Sequence, residues 1–316
     1  MAVPAVAIDQ VDWEVPEQQI GLWQDAWRRF LRNRLAVLGA ALVILLVLVA
    51  FLSPLLVHFH LIQDPLSQDV SHIEVGSGQA GHPLGSDELG RDTLSRLMYG
   101  SRISLSVGIL VQGIILPIGL AIGLTAGYFG GRIDNLLMRF TDIWYAFPDL
   151  IFVLVLVSVF GPSLLSIFGA IGLVGWVNLA RLVRSQVLAI KEKEFVEAAR
   201  SSGSPPLKLI LKHLLPNALG PIIVTVVFGI PTAIFIEATL SFLGVGVQPP
   251  TPTWGQMVFD GYEAIYANPS SVVFPALAIG FTLLAFSFIG DGLRDALDPR
   301  MRRWLTHRAR YRRSRV

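Results

Sequence analysis

The 316-residue chain has no cysteine, which excludes a disulfide framework and any thiolate metal site. Charge is scarce too: charged residues make up 15% of the chain against 53% hydrophobic, and mean hydropathy is +0.60, so the composition is not that of a soluble domain. No glycine–lysine pair occurs anywhere, which leaves no GxxxxGKS/T phosphate loop and no sequence signature for hydrolysing ATP. Neither HExxH nor GxSxG is present, and no span pairs an acid with a histidine, so a membrane-embedded enzyme has no recognisable chemistry here. The opening MAVPAVAIDQVDWEVPEQQ carries acids but no lysine or arginine. A cleavable signal peptide starts with basic residues, so the first span reads as an uncleaved anchor.

What is present is a series of long apolar runs. Residues 35–57, 103–129, 218–236 and 270–290 each reach membrane length. A longer run, 150–180, is divided by the turn signal Gly161-Pro162 into spans at about 140–160 and 163–188. The first of these holds Asp142, Pro148 and Asp149 near its start, where a helix dipole tolerates negative charge. The pattern predicts an all-α integral membrane protein with six transmembrane helices. Basic residues support six: four precede the first span, two lie between the second and third, seven surround residues 191–217 and nine follow the last, placing 22 of 25 on one side. Cytoplasmic segments collect lysine and arginine, so both termini are expected in the cytoplasm. A secondary transporter would carry ionisable groups at mid-membrane, whereas only Glu237 lies deep in a span. Glu237 is a candidate for the outer end of a translocation path, or for a structural hydrogen bond between spans.

Residues 191–202 contain no helix breaker, whereas Gly203, Pro205 and Pro206 follow in quick succession. This predicts a helix, a stop and a second helix, with proline suited to the first turn. In the second helix Leu207, Ile210, Leu211 and Leu214 share one face, with Lys208 and Lys212 on another. Such a stripe fits a groove in a partner protein, or else lies over the bundle; a DNA-reading helix pair has similar periodicity but does not belong between two membrane spans. Gly119, Gly123 and Gly127, and likewise Gly169, Gly172 and Gly175, give two spans smooth faces for close packing. Near the N-terminus, Ile20, Trp23, Trp27, Phe30 and Leu31 form an apolar stripe beside Arg28, Arg29 and Arg32, the pattern of an interfacial helix. In the loop 58–102, Ser86 or Asp87 is expected to cap a helix running from Glu88 to about Tyr99. Asp87, Glu88 and Asp92 lack the spacing of a calcium loop and read as caps and ion pairs. A second outer loop, around Gly255, is expected to be accessible from outside.

The segment EAARSSGSPPLKLILKHLLPN resembles the EAA loop of the membrane subunits of ABC importers, with Glu197, Ala198, Ala199, Gly203, Pro216 and Asn217 in the same order and spacing. Three further stretches, HPLGSDELGRDTLSRLMYGSRISL at 82–105, FIEATLSFLGVGVQPPTPTWG at 235–255 and GDGLRDALDPR at 290–300, extend the likeness. Over about residues 35–301 the chain resembles the C-type permease subunit of dipeptide, oligopeptide and nickel importers. Ser201-Ser202 and Pro205-Pro206 depart from the family pattern without touching Glu197 or Gly203. The resemblance implies a type I ABC importer permease fold in the cytoplasmic membrane of a bacterium or archaeon. It implies that Glu197, Ala198, Ala199, Gly203, Leu207, Ile210, Leu211, Pro216 and Asn217 couple the chain to an ATPase. The implied partners are a B-type permease, two cytoplasmic ABC ATPase subunits that use ATP and magnesium, and an extracytoplasmic substrate-binding protein. No cofactor on this chain and no nucleic acid are implied. Dipeptides or oligopeptides are the first expectation for cargo; nickel is weaker, because no histidine cluster lines a span. The chain then divides into a cytoplasmic segment with the interfacial helix at 1–34, an anchor and external loop at 35–102, a permease core at 103–298 containing the EAA loop at 191–217, and a basic cytoplasmic tail at 299–316.

Overall fold

The computed structural model describes residues 21–298 except residue 267; the first twenty residues, including Ile20, and the basic tail 299–316 lie outside the described residues. Among the described residues the architecture is all-α, eleven α-helices and one π-helical turn. The short α1 (Leu22–Arg32) leaves Trp23, Trp27 and Leu31 exposed while Ala26 and Phe30 pack with Ala36 and Ala296. Asn33 then caps α2 (Arg34–His58) by accepting from the backbone N–H groups of Leu35 and Ala36.

Five runs are long and apolar enough to cross a membrane: α2, α3 (Thr93–Phe129), α6 (Leu164–Lys191), the run Pro206–Phe242, and α11 (Ser270–Leu297). The sixth is not the straight span expected at 140–160. It consists of α4 (Gly131–Tyr145) and α5 (Asp149–Phe160), which meet at 79°. Pro148 causes the break, since it has no N–H to continue α4 and biases Phe147 away from helical backbone. Asp142 therefore sits in the last turn of α4 and is held by Arg181 at 2.7 Å, not by a helix dipole. Asp134, in the first turn of α4, takes both arms of Arg184 at 2.5 and 2.6 Å.

The expected glycine faces lie in one contact, each set of glycines receiving larger side chains of the other helix. A Cβ on Gly119 would fall 2.8 Å from Leu179, on Gly123 2.6 Å from the Ala180 carbonyl, and on Gly127 2.7 Å from Val187. Gly172 and Gly175 are reciprocally covered by Ile114 and Ile115, so α3 and α6 touch along most of their length. Gly169 differs: it faces open space and takes no part in this contact.

The segment between α2 and α3 folds over one end of the bundle. The helix expected from Glu88 starts only at Thr93, capped by Asp92 through the Ser95 N–H at 2.8 Å. Asp87 instead closes a turn, accepting from the N–H groups of Leu89 and Arg91, with Gly90 at φ +71° against the Asp69 carbonyl. Buried ion pairs then tie this segment to α10 (Trp254–Tyr262): Arg91 and Arg96 both reach Asp87, at 2.7 and 3.2 Å, and both reach Asp260, at 3.6 and 3.3 Å. Burial raises the Asp260 carboxyl above the ordinary range, and the Gln256 amide and the arginines oppose it.

Candidate functional site

Two features on the run Pro206–Phe242 and its approach concentrate the candidate residues. The first is a knob made by α7 (Glu194–Ser201), a tight turn and α8 (Pro206–Leu209). Gly203 makes the turn at φ +79°, with its N–H on the Arg200 carbonyl at 3.0 Å and the Ser204 N–H on Ala199 at 3.2 Å. That is a Schellman closure, which needs left-handed backbone at the glycine position. Val196, Leu209 and Leu214 are buried and anchor the knob. Leu207 is 67% exposed and Leu211 53%, beside exposed Phe195, Glu197 and Ala198, with Ala199 and Ile210 half-buried. The expected apolar stripe is therefore divided: Leu214 serves the chain's own core, while Leu207 and Leu211 present an uncovered face.

The second helix of the knob does not end before the membrane. A π-helical turn, Ile210–Leu214, carries it into α9 (Leu215–Phe242), giving one run from Pro206 to Phe242. Pro216 explains the wide turn: it has no N–H for the Lys212 carbonyl, and its ring crowds that carbonyl. Asn217 steadies the same turn by donating from Nδ2 to the His213 carbonyl at 2.7 Å. Pro216 and Asn217 are exposed and line a large cavity of about 730 Å³, walled by α1, α6, α9 and α11.

The second feature is a half-open cavity of about 260 Å³ among α3, α5, α6 and α9, adjoining the larger cavity through Thr225 and Phe228, which line both. Its walls are mostly apolar, with Gln112, Asp149, Asn178, Thr225 and Thr232 as polar points. None of these five was assigned from the sequence to the coupling loop or the translocation path. Gln112 was detectable in principle, as an amide in an otherwise uncharged run.

Glu237, expected at the outer end of a path, lines neither cavity. It is fully enclosed and accepts from the Ser241 hydroxyl at 2.9 Å. The α9 face bearing Ala238 and Ser241 turns toward Gly255 of α10 and Gly246, where any Cβ would collide with it. Gly255 is buried by the same packing and is not the accessible loop position expected.

Residues 119–303 match the family described as "Binding-protein-dependent transport system inner membrane component", and residues 21–72 match "N-terminal TM domain of oligopeptide transport permease C". The chain is 42% identical to the dipeptide transport system permease protein DppC of Bacillus subtilis, over 92% of this chain and 89% of that protein. It is 43% identical to the oligopeptide transport system permease protein OppC of Haemophilus influenzae, over 93% and 95%. A chain in an inward facing structure of the MetNI methionine ABC transporter shares the fold, with TM-score 0.53 and 20% identity, over 65% of this chain and 97% of that one.

Proposed function

The chain belongs to the family of binding-protein-dependent transport system inner membrane components, and on that premise we propose that it lines half of an ATP-driven import path for dipeptides or oligopeptides. It is a multi-pass permease subunit, and the two relatives above are named for dipeptide and oligopeptide transport. The other half of the path is a B-type permease. Two cytoplasmic ATPase subunits bind ATP and magnesium, and an extracytoplasmic binding protein delivers the cargo. This chain supplies no nucleotide site of its own. Both termini and the knob face the cytoplasm.

One observation supports the coupling assignment above all: the knob holds Leu207 and Leu211 uncovered beside Glu197, on a helix continuous with the wall of the cavities. Leucines on a rigid, anchored helix match a groove in a partner, and a carboxylate beside them orients the contact. Glu197, Ala198, Ala199, Leu207, Ile210 and Leu211 form that contact, Gly203 shapes it, and Pro216 with Asn217 set the turn behind it. Glu197→Lys tests this. A charge mismatched at a desolvated contact typically loses roughly 2 kcal/mol or more, about thirtyfold in affinity. The variant should insert and retain its partner permease while ATPase co-purification collapses. Co-purification at wild-type level would overturn the coupling role.

A further inference from the structure

The 260 Å³ cavity contains an unusual pairing of groups for the middle of a membrane bundle. Gln112 on α3 is 6% exposed, lines the cavity, and has no hydrogen-bond partner for its Nε2. Its amide lies against Gly229 of α9, where a Cβ would stand 2.5 Å from Nε2; glycine leaves the room that the side chain occupies. A buried donor left unmet costs roughly 1–3 kcal/mol, so an arrangement that makes space for one and aims it into a cavity points to a visiting acceptor. Asp149, at the start of α5, is the one ionisable side chain lining the same cavity, with no lysine, arginine or histidine there to neutralise it. Asp149 is exposed at the mouth of the cavity, where its carboxylate gives an entering cationic group an opposite charge to meet.

We propose that this cavity is a transit site for the amino-terminal end of a short peptide. Asp149 faces the α-ammonium, Gln112 donates to the first peptide carbonyl, and the apolar wall, including Val153, Ile171 and Val174, takes the first side chain. Asn178 and Thr232 offer further polar contacts at the rim. The volume sits just below the roughly 300–1,000 Å³ of whole small-molecule sites, which suits one end of a peptide in passage. Thr225 and Phe228 then lead into the larger cavity. The assignment rests on the peptide-importer reading.

The test is the number of ATP molecules hydrolysed per peptide carried, measured with the complete complex and its loaded binding protein in proteoliposomes. Asp149→Asn and Gln112→Leu should each raise that ratio about tenfold, the loss of one charge-assisted or buried hydrogen bond in transit. Asp149→Glu should restore the wild-type ratio. An unchanged ratio in both variants, whether or not uptake falls, overturns the site, because a folding or docking defect lowers hydrolysis and uptake together. Failure of the wild-type complex to carry any peptide would overturn the importer reading and the site with it.

Discussion

Gly203 shows how a single backbone angle can decide a contact. A Cβ there would touch nothing within 4 Å, so a substitution acts only through the φ of +79°. β-branched residues are genuine outliers in that region and asparagine is not. Gly203→Val should therefore misplace α8 and reduce ATPase co-purification sharply, with Gly203→Asn close to wild type; pull-downs at matched expression decide, and equal retention by the two variants contradicts the argument. Glu197 stood out only through the family resemblance, whereas Gly203 was legible in the sequence because its structural part is local, a stop between two helices. Glu237 was not legible in that way. Its enclosure depends on α10 and on the turn at Gly246 returning across α9, and no spacing within its own segment encodes either. Asp149 begins α5, the helix-start position expected of it, but only the neighbouring helices reveal the cavity it borders.

Among the elements, α3 and α6 form a closely matched pair; the glycines marked a smooth face on each helix but not that the two faces belong to one contact. Gly123→Val should be among the most damaging changes in the chain, because its Cβ would meet the backbone oxygen of Ala180 at 2.6 Å and backbone cannot give way as a side chain can. Overpacking of this kind costs roughly 1–3 kcal/mol. The expected result is a lower unfolding temperature and less protein recovered in detergent, with Gly169→Ala, which points into open space, as the neutral control. Helix boundaries were less readable than helix faces. The start of α3 is displaced because Asp87 and Gly90 close a turn first, and the bent pair α4–α5 was taken for one span because hydropathy does not register the direction change at Pro148.

For the whole molecule, the proposed orientation rests on where the basic residues fall, and the absence of cysteine makes it directly measurable with single introduced thiols. Ser204→Cys should react with an impermeant reagent only from the cytoplasmic side, and Tyr266→Cys, at a fully exposed position, only from outside; Gly255 is too buried to serve. Labelling of Ser204→Cys in intact cells would invert the proposed orientation. The unbroken run from Pro206 to Phe242 has a mechanical consequence. At 1.5 Å per residue it is a rod of about 55 Å, against roughly 30 Å of hydrocarbon. The knob's uncovered leucines sit at one end, the cavity wall from Thr225 to Ile236 toward the other, and no loop interrupts the backbone between them. Leu209, Leu214 and Ala218 bury the run at its knob end, and Ile234, Leu240 and Ser241 bury it at the far end. A push on the knob is therefore expected to reach the cavity wall along continuous helix backbone, with no loop between them to absorb it.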